Sequence, residues 1–134
     1  MTHYRISEAA RLLGVSADTV RRWVESGSLT AARDDAGRQV IPGVDLARWA
    51  TELAHAPEDP TGAASSARNR FVGLVTKIVA DTVMAQVELQ CGPFRVVSLM
   101  SSEAVRDLGL EVGSTAVAVV KATTVIVEAE RHHR

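Results

Sequence analysis

Aromatic residues are scarce in this chain: two Trp, two Phe and one Tyr among 134 residues. A core must therefore be built from Val, Leu, Ile and Ala. Cysteine occurs once, at Cys91, so no intrachain disulfide forms and a reducing compartment is expected. A small buried or turn residue is the expected role of that thiol. No apolar run reaches the length of a membrane span. No basic, apolar and small-residue leader opens the chain, so a cytoplasmic location is expected. Catalytic patterns are missing too. There is no Walker loop and no Ser-His-Asp or Cys-His set, and the four histidines fall in the termini or in a linker. An enzyme is the least favoured class. Charge excess is also absent. The formal net charge is -1, and residues 1–54 hold seven Arg and no Lys against seven acidic residues. Any basic patch for nucleic acid must come from the placement of a few arginines.

Apolar residues make up 46% of the sequence, enough to bury a core, and the length suits one ordinary domain or two very small ones. In the first half, Ser7 and Glu8 suit the start of a helix carrying Ala9, Ala10, Leu12 and Leu13, and Gly14 ends it. Ser16 caps a second helix, from Ala17 to Glu25. Val20, Trp23 and Val24 form its buried stripe, with Thr19, Arg21 and Arg22 off that stripe. Two short helices about a glycine turn describe a helix-turn-helix, whose second helix enters a major groove. Ser16, Thr19, Arg21 and Arg22 are the candidate groove residues. Two short strands about Asp34-Asp35-Ala36-Gly37 then predict a hairpin. Arg33 and Arg38 flank its tip, placed for phosphates, whereas Asp34 and Asp35 would repel DNA if they faced it. Asp45, Leu46, Trp49, Ala50 and Leu53 predict a third helix, with Trp49 in the core.

The order Ile6-Ser7-Glu8-Ala9-Ala10, Leu13-Gly14-Val15-Ser16, Thr19-Val20-Arg21-Arg22-Trp23 and Gly37-Arg38-Gln39-Val40-Ile41 resembles the winged helix-turn-helix of excisionases and the MerR superfamily. The resemblance covers residues 1–55 and implies binding of double-stranded DNA by the second helix and the wing. The long dimerisation helix of full MerR regulators is missing, so self-association must come from elsewhere.

Residues 56–65 are rich in Pro, Gly, Ala and acidic side chains and predict a partly extended linker. After it, residues 71–79 predict a strand with a bulge or close backbone approach at Gly73. Residues 83–90 alternate, with Val83, Ala85, Val87 and Leu89 on one face. A third strand follows, over residues 94–100. Ser101 or Ser102 caps a short helix that Gly109 ends. Strands over 115–120 and 123–127 complete the expectation. The fold class is thus α+β with two domains, an N-terminal winged helix-turn-helix and a C-terminal small OB-like β-barrel over residues 66–130. A barrel this small needs support, and the apolar residues of 117–120 and 125–127 suggest subunit pairing.

Ser66-Ala67-Arg68-Asn69, Gly73, Val105-x-x-Leu108-Gly109-Leu110 and Lys121-Ala122-Thr123 resemble the molybdate-binding Mop (molbindin, TOBE) family. The resemblance implies barrels that associate through exchanged or shared strands, and oxyanions bound between subunits. It places one side of a site at Ser66, Ala67, Arg68 and Asn69, and the other at Lys121, Ala122 and Thr123. Ser98 and Ser101 stand where the family often has threonine. The family commonly has serine where this chain has Ala104, which removes one hydroxyl donor. The implied ligand is molybdate or tungstate, with no metal held as a cation. The implied partners are DNA and further copies of the chain, as a dimer or hexamer, with no membrane. The expected function is a molybdate-responsive transcription regulator. The alternatives are a molybdate storage or homeostasis protein, and an architectural DNA-binding protein with a ligand-free oligomerising barrel. The tail Arg131-His132-His133-Arg134 is basic; two adjacent histidines alone make a weak metal ligand set, and a disordered terminus is the expectation.

Overall fold

The computed structural model describes residues 2–131, so the histidine pair of the tail lies outside the described residues. The chain divides into two compact units, one ending at His55 and the other beginning at Ala56.

In the first unit the order is β1 (His3–Arg5), α1 (Ile6–Leu13), α2 (Ala17–Glu25), β2 (Ala32–Arg33), β3 (Gln39–Pro42) and α3 (Gly43–Leu53). The three strands form an antiparallel sheet in the order β1-β3-β2, with Tyr4 opposite Ile41 and Arg33 opposite Gln39. β1 was not expected, since three residues of mixed polarity carry no periodic signal. It makes the wing three-stranded and moves the start of α1. Arg5 is the N-cap in place of Ser7, and its backbone N–H donates to Glu8 Oε1 at 3.0 Å. Gly14 ends α1 in the left-handed region, φ 70°. Ser16 caps α2 as expected, accepting from the Thr19 backbone N–H at 3.1 Å. Ala9, Ala10, Val20, Leu29, Ile41 and Leu46 form the core. Trp23 and Trp49 pack against it edge to face, centroids 5.6 Å apart at 72°.

The second unit contains β4 (Asn69–Ala80), β5 (Met84–Cys91), β6 (Phe94–Ser101), α4 (Ser102–Leu108), β7 (Thr115–Val120) and a 3-10 turn, Ala122–Thr124. The strands form one antiparallel sheet in the order β6-β5-β4-β7. β4 serves two partners. Its first half, from Asn69 to Leu74, pairs with β7, and from Leu74 to Ala80 it pairs with β5 across a register shift between Val75 and Lys77. Such a shift bends the strand, and the sheet curls into a half-barrel. Val75, Val87, Leu89 and Cys91 fill its hollow with Ile78, Val96, Met100, Val105, Leu110, Ala116 and Ala118 around them. Among the described residues β6 and β7 do not pair with each other, so a single chain leaves the barrel open.

Two features of this unit depart from expectation or refine it. Residues 123–127 do not form a strand. Backbone bonds from Thr124 N to Lys121 O and from Val125 N to Ala122 O turn the chain out of the sheet, and Ile126 and Val127 are more than four-fifths exposed. At Gly73 the close approach is real. A Cβ built there would lie 2.5 Å from Gln90 O and 2.6 Å from Cys91 Sγ. Burial raises the pKa of that thiol, and it contacts Phe71 O at 3.6 Å. We expect Gly73→Ala to destabilise the second unit by about 1–3 kcal/mol through forced backbone displacement, read as a lower urea midpoint. An unchanged midpoint would contradict the tight contact.

Candidate functional site

The first unit presents α2 and the hairpin β2–β3 as its arginine-bearing surface. Val20 is fully buried, while Ser16, Arg21 and Arg22 on the same helix are exposed. The 3.6-residue period thus turns one face inward and leaves the polar face free. Arg21 Nη1 donates to Asp18 Oδ1 at 2.8 Å, and Arg22 Nη2 to Thr19 Oγ1 at 3.1 Å. Thr19 also shares a 2.9 Å hydrogen bond with the Ser16 hydroxyl. At the hairpin tip Asp34 is drawn into the turn. It accepts from the backbone N–H groups of Ala36 and Arg38, at 3.0 and 2.8 Å, and from Arg38 Nε at 3.1 Å. Asp34 therefore neutralises Arg38 locally and does not point outward as a bare charge. Arg33 Nη1 donates to Gly37 O at 2.8 Å. These exposed pairs hold little energy, so a phosphate can take over the guanidinium groups cheaply.

In the second unit the proposed anion residues fall into two groups. Asn69 is opposite Val120 in the ladder, and its Nδ2 donates to Val120 O at 3.1 Å. This register sets Ser66, Ala67, Arg68 and Asn69, which lead into β4, beside Lys121, Ala122 and Thr123, which leave β7. Arg68 and Lys121 are both exposed there. The Ala67 backbone N–H is tied to Ser65 Oγ at 3.1 Å, which shapes the loop. Ser98 and Ser101 stand apart, on edge strand β6. Ser98 is aligned through Val87 with Ile78, toward the other end of β4. Ser101 caps α4, accepting from the Ala104 N–H at 3.0 Å, which leaves its own O–H free to donate. A cleft of about 650 Å³ separates the edges, with Val97, Ser98 and Leu99 on one side and Val117, Val119 and Val120 on the other. Within one chain, Ser98 lines one side of this cleft and Val120, the residue before Lys121, lines the other.

Three polar residues escaped the sequence analysis. Arg70 Nε donates to Asp59 Oδ2 at 2.8 Å, and its Nη2 to Thr61 Oγ1 at 3.0 Å. The Thr61 backbone N–H and hydroxyl both donate to Asp59 Oδ1, at 2.9 and 2.7 Å. Residues expected to be free linker are thus fastened to β4. The Asp-x-Thr spacing is a local turn signal, but nothing in the sequence names Arg70 as its partner.

Comparison with known proteins agrees with this division. Residues 4–54 match the helix-turn-helix domain family and residues 65–127 the TOBE domain family. The chain thus joins a helix-turn-helix domain to a TOBE β-domain. The chain belongs to the TOBE domain family. It is 44% identical over 66 residues to a probable molybdenum-pterin-binding protein of Haemophilus influenzae, covering 48% of this chain and 96% of that protein. It is 37% identical over 63 residues to molybdenum-pterin-binding protein 3 of Clostridium pasteurianum, covering 46% and 93%. MopII from Clostridium pasteurianum, a solved structure, is 36% identical with a TM-score of 0.46, covering 49% of this chain and 100% of that one.

The hydrogen bonds of Thr61 and Arg70 hold the Asp59 carboxyl down to about 2, from an ordinary 3.8. A depressed carboxylate pKa stabilises the fold above the unfolded value and loses that contribution as pH falls through the folded one. The Asp59 carboxyl should titrate by NMR with a midpoint near 2, and Arg70→Gln should raise that midpoint while leaving part of the shift to Thr61. A midpoint at the ordinary value would show the pair to be absent in solution.

Proposed function

We propose that the chain is a molybdate-responsive DNA-binding regulator. Its helix-turn-helix unit reads double-stranded DNA through Ser16, Thr19, Arg21 and Arg22, with Arg33 and Arg38 on phosphates. Its TOBE unit binds molybdate, or the similar tungstate, through Ser66–Asn69, Ser98, Ser101 and Lys121–Thr123. A tetrahedral dianion needs hydroxyls, backbone N–H groups and a few cations, and those are the donors that these segments supply. The observation that carries the reading is the open half-barrel. Hydroxyls lie on its edge strand β6, Lys121 follows its other edge strand β7 with Arg68 just before β4, and Ile126 and Val127 are exposed. A second copy that supplies a strand to the cleft satisfies both edges and brings the two donor groups together. The regulator is therefore a homo-oligomer through the TOBE unit, and the relatives that bear molybdenum in their names support the choice of ion.

The mechanism is linkage. Molybdate bound between copies favours one arrangement of subunits, and that arrangement sets the spacing of the DNA-reading units. This requires the ion to bind two arrangements with different affinity.

Calorimetric titration of the full chain with molybdate, with sulfate as control ion, tests the sensor. Arg68→Ala, Ser98→Ala and Lys121→Ala should each weaken molybdate about tenfold or more, since each removes a donor to a charged ligand, and leave DNA affinity at fixed salt unchanged. Arg22→Ala and Arg38→Ala should do the reverse, weakening DNA by about fivefold or more. If the first set left molybdate untouched, the site assignment would be wrong. If molybdate bound without altering DNA affinity, a storage role would replace regulation.

A further inference from the structure

The segment between the two units is expected to be loose, yet Arg70 holds it by two acceptors. Asp59 and Thr61 lie before the oxyanion loop in sequence, and Arg70 lies just after it. The bonds of Arg70 therefore close residues 59–70 into a ring that contains Ser66, Ala67, Arg68 and Asn69. The bonding within the ring is saturated at its centre. The Thr61 hydroxyl donates to Asp59 and accepts from both Arg70 and the Ala63 N–H, the latter at 3.2 Å, which uses its one donor and two acceptors. The ion pair is sheltered, with 23% of the Arg70 side chain and 32% of Asp59 exposed. Arg70 itself is fixed in the ladder opposite Val119, next to the Asn69–Val120 pair.

We propose that Arg70 is a positioning residue for the oxyanion loop, and that its ring makes the loop and the tether of the helix-turn-helix unit one mechanical piece. The inference rests on the reading of Ser66–Asn69 as part of a molybdate site. A loop rich in Ala, Ser and Gly has no large apolar side chain to fix it, and ring closure removes conformers that the ion would otherwise have to select against. Upstream of Asp59, only His55, Ala56, Pro57 and Glu58 remain between the ring and Ala54 at the end of α3. Displacement of the loop by a bound ion is thus transmitted to the tether through Asp59 and does not dissipate in a free linker.

Positioning and plain charge make opposite predictions for one substitution. Asp59→Asn removes a negative charge beside an anion loop. If Arg70 and Asp59 acted on the ion only through charge, molybdate would bind more tightly. If they position the loop, it binds more weakly. We expect Asp59→Asn and Arg70→Gln each to weaken molybdate about fivefold by calorimetry, in protein whose circular dichroism is unchanged. The double variant should be no weaker than the worse single one, because both remove the same ring. Without ligand, amides 61–69 should exchange faster in Asp59→Asn than in the wild type. Tighter or unchanged binding in Asp59→Asn, or unchanged exchange, overturns the proposal while the molybdate reading stands. Failure of the wild type itself to bind molybdate overturns both.

Discussion

Unsatisfied sheet edges govern the second unit. A β-strand at an edge exposes backbone donors and acceptors, and natural proteins cover or blunt such edges. Here both edges, β6 and β7, border one apolar cleft, with Leu99 and Val119 among the exposed side chains beside it. The register shift after Val75 and the close approach at Gly73 create this geometry by bending β4. Those features let one long strand pair with β7 at its start and β5 at its end. The result is half of a barrel with a packed hollow, which a second copy completes in the proposed assembly.

The same constraint accounts for the distribution of polar residues. The Asn69–Val120 pair draws the ends of β4 and β7 together, and Arg68 and Lys121 are the next residues beyond that pair, both exposed. The hydroxyls of Ser98 and Ser101 remain on the other edge. Ser101 accepts from the Ala104 N–H at the N-terminus of α4 and keeps its proton to donate. Ala104 offers that cap its N–H group, a role for which its side chain is irrelevant, so the missing serine does not disturb α4. In the first unit the arginines are parked on Asp18, Thr19, Asp34 and Gly37 O by short-range contacts. Such contacts order the side chains while leaving them available to a more highly charged partner.

Much of this was legible in the chain. The helical stripe of Val20, Trp23 and Val24, the Ser16 cap and the Gly14 stop encode the helix-turn-helix locally. The spacing of Ala85, Val87 and Leu89 signalled β5, although Val83 is exposed and Glu88 buried against that pattern, and Gly73 announced a close approach. What escaped depends on long-range pairing. β1 is three residues whose only reason to be a strand is β3. Residues 125–127 carry strong β propensity, yet the Lys121–Thr124 turn leads them away, and among the described residues no strand pairs with them. Arg70 meets Asp59 and Thr61 through the fold, and sequence spacing alone does not specify such a contact. The anion residues were visible only as a resemblance, because hydroxyls and single cations at strand ends have no periodic signature.

The claim that the site is shared between copies is tested most directly by complementation. Ser98→Ala and Lys121→Ala proteins, each impaired in molybdate binding, are mixed, unfolded and refolded together, then titrated with molybdate. Subunits that share sites regenerate intact ones in mixed oligomers, because each variant supplies the half that the other lacks. A class of sites in the mixture with wild-type affinity, tighter than in either parent treated alone, is the predicted result. A mixture that binds no more tightly than its parents would contradict the account and place both donor groups within one chain.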